Sequence, residues 1–320
     1  FVAMGSPCSI KIAGSYQHAK SVSDACISEA RRFESVYSRY TNDSIVAQIN
    51  TAAGLKPVRI DAECRAILNY AGVCFNLSGG LFDVTAGVLR RIWSSARTRK
   101  PTEEELAPIL SLIDFNQVEI TDDTVFLPRS GMELDLGGVV KEYAADALAQ
   151  LMKNHGVDSA VINLGGDIFC VGARSAEEGW QIGIVDPKGG GAAAAVQLVN
   201  SGLATSGGYE RFLEIEGQQY SHILDPRTGF PVNSLASVSV IAEQTVVAGS
   251  AATIALLKGE EEGLKWLEDF GCPYLAIDQG GQMVSGVGFN SGARGSEYVG
   301  EPLKGPLNEQ RTGFFDVKVS

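Results

Sequence analysis

Residues 203–231 read LATSGGYERFLEIEGQQYSHILDPRTGFP, and the rest of the chain is organised around this stretch. The small residues Ser206-Gly207-Gly208 predict a turn where the backbone can approach a ligand, because glycine has no Cβ. An alternating run over 212–215, a turn at Gly217-Gln218 and a return strand over 219–224 predict a β-hairpin.

The hairpin brings His222 and Asp225 to its far end, where Pro226, Gly229 and Pro231 predict a sharp turn. An imidazole and a carboxylate three residues apart beside such a turn form a candidate polar ligand site. The alternative is an ordinary turn that follows a core histidine with satisfied hydrogen bonds. The local pattern alone favours this alternative.

Composition indicates a folded, acidic protein. Of its 320 residues, 45% are hydrophobic and 20% are charged, and the formal net charge is −12. This balance argues against a nucleic-acid groove or a surface for anionic membranes. An anionic ligand would therefore need a local cluster of donors or a metal ion. No apolar run reaches the length of a membrane span.

The six cysteines are scattered without a CxxC pair, which argues against a zinc finger and against a small disulfide scaffold. We expect most of them to be small buried hydrophobic residues, which slightly favours a reducing compartment. The chain opens without the basic and apolar regions of a signal peptide, so we expect that any targeting segment was removed.

Periodicity and capping residues predict an α+β domain in which helices are interleaved with mainly antiparallel strands. Asp43 or Ser44, Asp61 and Pro101 mark helix starts. Residues 1–285 are predicted to form a single domain of two packed lobes, and residues 286–320 a C-terminal tail. The predicted helices cover 18–37, 64–78, 139–154, 246–257 and 264–270, with shorter ones before Asn50 and after Pro101. The predicted strands cover 9–13, 117–121, 124–128, 132–136, 159–164, 168–171, 180–185, 194–198, 236–242, 274–277 and 282–285.

A glycine turn between a predicted strand and a helix combines Asp135, Gly137, Gly138 and Lys141. Free backbone N–H groups at such a helix N-terminus favour phosphate or another anion, and the Gly138 carbonyl could reach a hard cation. The alternative is a plain strand–helix junction with Lys141 in solvent. The turn that ends in Asp167 is open to the same two interpretations. Phe82-Asp83-Val84-Thr85 alone would predict only a helix cap.

Taken in order, these motifs resemble the ApbE family, the FAD:protein FMN transferases. The resemblance extends over residues 1–285 and leaves out chiefly the tail. It rests on Met4-Gly5-Ser6, Tyr37-Ser38-Arg39-Tyr40, Phe82-Asp83-Val84-Thr85, Asp135-Leu136-Gly137-Gly138 with Lys141, Asn163-Leu164-Gly165-Gly166-Asp167, Trp180-Gln181-Ile182-Gly183-Ile184, Thr205-Ser206-Gly207 and His222-Ile223-Leu224-Asp225-Pro226-Arg227-Thr228-Gly229.

The resemblance implies a T-fold-like architecture that binds FAD in a cleft between two lobes. It also implies that Mg²⁺ assists attack of an acceptor-protein threonine on the FAD diphosphate, leaving FMN on the threonine and releasing AMP. His222, as a proton acceptor, and Asp225 would lie near the reacting phosphates, and Gly138 and Thr253 would bind the metal. The implied cofactor contacts are Met4, Tyr40, Leu81, Phe82, Asp83, Thr85, Asp135, Lys141, Asp167, Ser206, Ile223 and Thr228.

The chain departs from the family pattern at two positions. Gly249 stands where the family usually has an aspartate four residues before the threonine, here Thr253. Glu142 stands where the family commonly has glycine. Because neutral oxygens alone rarely hold Mg²⁺, we expect Ser250, Glu142 or the ligand's own phosphates to compensate. A Gly249→Asp substitution is expected to strengthen metal binding.

Three functions stay open on the sequence. The first is a magnesium-dependent FMN transferase with an acceptor flavoprotein as its partner. The second is a flavin-binding protein that stores, senses or delivers FAD without transfer, and the third is an FAD pyrophosphate hydrolase. Family members are often exported, periplasmic or lipid-anchored, although no signal or lipid-bearing cysteine is visible at this N-terminus.

Overall fold

The computed structural model describes residues 1–289 apart from residues 15–16, 95, 177, 190 and 209–211. The predicted tail therefore lies outside the described residues from 290 onward. The helices are α1 Ala19–Tyr37, α2 Ile45–Thr51, α3 Ala62–Leu77, α4 Glu103–Leu110, α5 Val140–Asn154, α6 Thr245–Lys258 and α7 Glu260–Phe270. The strands are β1 Val2–Ala3, β2 Ser6–Ile12, β3 Val58–Arg59, β4 Glu119–Ile120, β5 Thr124–Phe126, β6 Ala160–Leu164, β7 Asp167–Val171, β8 Trp180–Val185, β9 Ala192–Leu198, β10 Ser201–Gly207, β11 Phe212–Ile215, β12 Gln218–Ser221, β13 Leu235–Ala242, β14 Tyr274–Asp278 and β15 Met283–Ser285.

A large sheet with the strand order β1-β2-β6-β7-β10-β13-β14-β15 forms the centre of the molecule. Its neighbouring strands pair antiparallel throughout. Smaller sheets join β11 to β12, β8 to β9, and β3 to β5 to β4. This arrangement confirms the predicted α+β class with mainly antiparallel strands.

The three-stranded sheet corrects one prediction. Residues 132–136 do not form its third strand, which is instead β3 from a distant part of the chain. The Asn50 side chain donates to the Leu134 carbonyl oxygen at 3.0 Å and accepts from the Leu134 N–H at 2.7 Å. An amide side chain thus takes the hydrogen bonds that a neighbouring strand would otherwise take.

The stretch that includes β10 was also predicted incorrectly at its start. Ser206 and Gly207 are strand residues paired with β13, not a turn. Small residues suit this strand because α6 lies close to it: a Cβ on Gly202 would come within 2.5 Å of the Thr245 backbone nitrogen. The hairpin turn falls at Glu216-Gly217 rather than Gly217-Gln218, and β12 ends before His222.

The main hydrophobic core lies between the large sheet and helices α1, α3, α5 and α6. A second cluster packs β8 and β9 against the opposite face of the sheet, and Phe289 joins it. Phe289 lies in the segment that the sequence assigned to the tail, and within the described residues it packs with this cluster.

All six cysteines are free and buried, as predicted. Among the described residues, no helix combines the length and apolar character needed to cross a membrane.

Helices α5 and α6 are joined by a side-chain cap. The Asp146 carboxylate of α5 accepts from the Thr245 N–H at 2.7 Å and from the Val246 N–H at 3.0 Å. These amides belong to the first turn of α6, where the helix leaves backbone donors unsatisfied. The cap fixes α5 beside α6, and the side chain one turn before Asp146, that of Glu142, then faces the second turn of α6.

Candidate active site

A cavity of about 580 Å³ opens where the sheet, α1, α5, α6 and the His222 turn meet, a volume typical of ligand pockets. Most of the residues that the sequence singled out line it. They are Met4, Tyr40, Leu81, Phe82, Asp83, Asp135, Gly138, Lys141, Asp167, Ser206, His222, Ile223 and Thr253. Thr85, Asp225 and Thr228 do not line this cavity.

The N-terminal turn and the end of α1 contribute one part of the wall. Met4 and Gly5 both have positive φ angles, 51° and 66°, and the Gly5 N–H donates to Glu34 Oε1 at 3.3 Å. Tyr40 remains 76% exposed although its ring lines the cavity. It offers an aromatic surface against which a planar ring could stack.

Asp83 and Thr85 form a closed hydrogen-bond arrangement. Asp83 Oδ1 accepts from the Thr85 N–H at 2.7 Å and from its hydroxyl at 2.6 Å, while Oδ2 accepts from the Phe115 N–H at 3.1 Å. Burial raises the pKa of Asp83, and these hydrogen bonds oppose the rise. Thr85 is fully buried, so its hydroxyl serves the turn rather than the cavity.

The turn after β12 divides the predicted pair His222 and Asp225. His222 lines the cavity, but the Asp225 carboxylate accepts from the Arg227 side chain at 2.9 Å and from the Arg227 N–H at 2.8 Å. Thr228 is exposed and its hydroxyl accepts from the Phe230 N–H at 3.2 Å. The hydrogen bonds described for Asp225 and Thr228 therefore lie within the turn.

Asp135 fixes two arginines on the cavity wall. Its Oδ2 accepts from Arg90 Nε at 2.9 Å and from Arg39 Nη1 at 3.3 Å, and its Oδ1 accepts from the Gly137 N–H at 2.9 Å. Burial alone would raise the pKa of Asp135, but Arg90, Arg39 and the Gly137 amide hold it below the usual value. The carboxylate therefore stays ionised and orders this wall.

Lys141 and Asp167 form a second ion pair, at 2.8 Å between Nζ and Oδ2. The Lys141 ammonium also donates to the Gly165 carbonyl oxygen at 3.4 Å. The predicted glycine turn thus brings Lys141 to the cavity rather than leaving it in solvent. The turn that ends in Asp167 contributes to the same wall.

The end of β10 meets α6 through two hydroxyls, with Ser206 Oγ and Thr253 Oγ1 2.8 Å apart. Ser250, one of the groups expected to compensate for Gly249, is fully buried on another side of α6. There it accepts a hydrogen bond from the Tyr70 hydroxyl at 3.2 Å. Ser250 therefore does not supply an oxygen to the cavity.

Glu142 fills the space beside Gly249. An ideal Cβ built on Gly249 would lie 2.6 Å from Glu142 Cγ and 2.9 Å from its Oε1. Glu142 is one of the residues that line the cavity, and its Oε2 is buried without a hydrogen-bond partner. Burial, together with the nearby Asp167 carboxylate, raises the pKa of Glu142.

The cavity wall carries more acidic than basic side chains. Its acids are Glu34, Asp83, Asp135, Glu142 and Asp167, and its lysine and arginine residues are Lys141, Arg39 and Arg90. Each of these cations is paired with a carboxylate of the wall. An anionic diphosphate would therefore meet little uncompensated positive charge, and a divalent cation fits this donor set. Among the described residues, no group of three or more His, Cys, Asp or Glu side chains is arranged to hold a metal ion, so a cation here would also need oxygens from the ligand.

Among the residues that sequence reasoning missed are both arginines of the cavity wall. Arg39 stands inside the motif Tyr37-Ser38-Arg39-Tyr40, so its place in the motif was the available signal. Arg90 lies outside every motif and reaches Asp135 from a short 3₁₀ helix over Gly87–Arg91. Only the fold brings these two residues together.

Comparison with known proteins agrees with this geometry. The model of the ApbE family matches residues 4–276. The chain belongs to the ApbE family. Two ApbE relatives carry the name FAD:protein FMN transferase. The one from Treponema pallidum (strain Nichols) is 37% identical over 257 residues, covering 74% of this chain and 71% of the relative. The one from Klebsiella pneumoniae (strain 342) is 31% identical over 269 residues, covering 82% of each chain.

Solved ApbE structures share the fold. The ApbE protein of Thermotoga maritima aligns with a TM-score of 0.83 at 29% identity, covering 90% of this chain and 96% of that one. The flavin transferase ApbE of Vibrio cholerae aligns with a TM-score of 0.81 at 25% identity and the same coverage. The predicted family and the T-fold-like ApbE architecture are both confirmed.

Proposed function

We propose that this protein transfers the FMN moiety of FAD to a threonine hydroxyl of an acceptor protein and releases AMP. The observation that carries the proposal is the single cavity in which residues from separate motifs of an ApbE chain meet. The names of the relatives from T. pallidum and K. pneumoniae support the same reaction.

The proposed transfer is a displacement at phosphorus. The acceptor hydroxyl oxygen forms a bond to the FMN phosphorus, and the bond from that phosphorus to the bridging oxygen breaks. The bridging oxygen leaves with AMP. His222 lines the cavity. In the proposed reaction it accepts the hydroxyl proton, because a neutral imidazole can act as a base near neutral pH. Asp225 supports the turn that holds His222.

We propose Mg²⁺ as the cation that accompanies FAD. When bound, it would neutralise charge on the diphosphate oxygens. The Thr253 hydroxyl and the Gly138 carbonyl are its proposed neutral ligands, and both residues line the cavity. Mg²⁺ commonly combines one or two carboxylates with substrate phosphates and water. The cavity offers carboxylates of this kind.

Incubation of the full chain with FAD, MgCl₂ and an acceptor protein bearing a flavinylation-type threonine tests the proposal. We expect in-gel fluorescence of a covalent flavin on the acceptor and an equal amount of AMP by chromatography. His222→Asn should lower the transfer rate by about 10²–10⁴-fold while FAD still binds.

An acceptor whose threonine is replaced by valine is the matched control and should stay unlabelled. Intact, tightly held FAD would instead identify a flavin-binding protein. Free FMN and AMP without a labelled acceptor would identify an FAD pyrophosphate hydrolase. Either result contradicts the transferase function.

A further inference from the structure

The Glu142 carboxylate is buried, and one of its oxygens lacks the partner that a buried charge normally has. It is only 7% exposed, lines the cavity, and leaves Oε2 without a hydrogen-bond partner. Burying a carboxylate oxygen without a partner is costly, so such groups usually pair with a cation or coordinate a metal. The position of this oxygen therefore points to a missing positive partner.

The neighbouring acids already have partners. Asp146, one turn further along α5, accepts from two backbone amides of α6. Asp167 pairs with Lys141 at 2.8 Å. The Glu142 Oε2 atom, by contrast, is buried without a hydrogen-bond partner.

The opposite helix is shaped to admit Glu142. A Cβ on Gly249 would come within 2.6 Å of Glu142 Cγ, so another residue at this position would require the glutamate side chain to shift. Thr253 follows Gly249 by one helical turn and lines the same cavity. The carboxylate of α5 thus lies beside α6, one turn before the hydroxyl that we propose as a metal ligand.

We propose that Glu142 supplies the anionic oxygen ligand for the divalent cation, from α5, and that Gly249 is the gap in α6 that admits it. This inference rests on the proposed function, because it assigns a residue to the cation of that reaction. It replaces the expectation that Gly249→Asp alone strengthens metal binding. With Glu142 in its present position, a side chain at 249 would displace the glutamate.

Binding of Mn²⁺ to the FAD-loaded full chain, measured by electron paramagnetic resonance without an acceptor, tests the assignment. Glu142→Gln keeps the shape of the side chain and removes its charge. We expect it to weaken Mn²⁺ binding at least about tenfold, since loss even of residues that only support metal ligands costs about 10–100-fold. The affinity for FAD in EDTA, followed by flavin fluorescence, should change little.

The double variant Glu142→Gly/Gly249→Asp exchanges the two residue types, so that α6 carries the acid and α5 carries the glycine. We expect it to bind Mn²⁺ far more tightly than Glu142→Gln, whereas Gly249→Asp alone should unfold at a lower urea concentration than the wild type. Glu119→Gln, at an exposed position of β4, is the control and should bind Mn²⁺ like the wild type.

An unchanged Mn²⁺ affinity in folded Glu142→Gln would overturn the assignment, and urea unfolding shows whether this variant is folded. The result is independent of the proposed transfer. Mn²⁺ binding that depends on Glu142 in a protein that never labels an acceptor would support the metal ligand and contradict the transferase.

Discussion

Asp135 shows how a single residue organises the wall of the cavity. Asp135 accepts hydrogen bonds from Arg39, which follows α1, and from Arg90, which is distant from Arg39 in sequence. It also orders the glycine turn by accepting from the Gly137 amide. Its side chain is largely buried. Charge-assisted hydrogen bonds of this kind are stronger than neutral ones.

We expect Asp135→Asn to lower the free energy of unfolding at pH 7 by about 1–3 kcal/mol. The pKa of Asp135 in the folded protein lies below 3.8, the ordinary value of an aspartate, so the unfolded chain binds the proton more readily. The stabilising contribution is fully present above the ordinary value and is lost as the pH falls through the lower folded pKa. Urea unfolding of both proteins at pH 7 and at pH 2.5 measures the difference.

Asp24→Asn, at an exposed pair on α1, is the control and should change stability little at either pH. If the cost of Asp135→Asn were the same at both pH values, ionisation of Asp135 would not be the source of its stabilising effect.

The motifs identified several residues of the cavity but not the contacts that each side chain makes. His222, Lys141 and Thr253 were identified from motifs, and all three line one cavity. The contacts of Asp225 and Thr228 could not be predicted, because a motif identifies a turn without showing which side chains it keeps for itself. The place of Glu142 follows only once α5 and α6 are packed together.

At the scale of elements, the Asp146 cap connects α5 to α6. Gln244, the residue before α6, makes no side-chain cap of its own, so Asp146 alone satisfies the amides of Thr245 and Val246. The same α5 backbone carries Glu142 one turn earlier. Loss of the cap should therefore affect both the stability of α6 and the site.

We expect Asp146→Ala to lower the free energy of unfolding by about 2–4 kcal/mol, because it removes a cap and leaves two amides of α6 unsatisfied. Asp61→Ala is the matched comparison, since Asp61 caps α3 through a single bond to the Cys64 N–H. It should cost only about 1 kcal/mol. Urea unfolding followed by circular dichroism measures both, and an equal or smaller cost for Asp146→Ala would contradict the account.

Elements set by local signals were predictable. Ser44, Asp61 and Thr102 cap helices α2, α3 and α4, two of them as the sequence named them and the third one residue after the named Pro101. Elements set by distant partners were not. Ser206 and Gly207, at the end of β10, were predicted as part of a turn because the small residues of this strand pack against α6. Residues 132–136 were predicted as a strand, although Asn50 takes both backbone hydrogen bonds of Leu134.

For the whole molecule, the free cysteines report on the integrity of the core. All six are buried, and burial raises the pKa of Cys26, Cys64, Cys74 and Cys170 to about 12. The thiolate is the reactive form. These thiols are therefore protected both by inaccessibility and by protonation.

We expect the native protein to react with a thiol reagent such as Ellman's reagent at pH 8 only on the timescale of unfolding. In denaturant, all six cysteines should react at once. Absorbance of the released thiolate measures both reactions, and a free thiol peptide mixed with the native protein serves as a control for the reagent. Rapid labelling of the native chain would contradict the described core.

The fit between Glu142 and Gly249 constrains how such a chain can evolve. Two acids, one on each helix, would compete for the same volume, so a mutant that acquired the second before losing the first would have to displace one carboxylate from this space. A mutational path that avoids this clash passes through an ancestor with small residues at both 142 and 249. Descendants should then covary at these positions, with an acid on one helix accompanied by a small residue on the other.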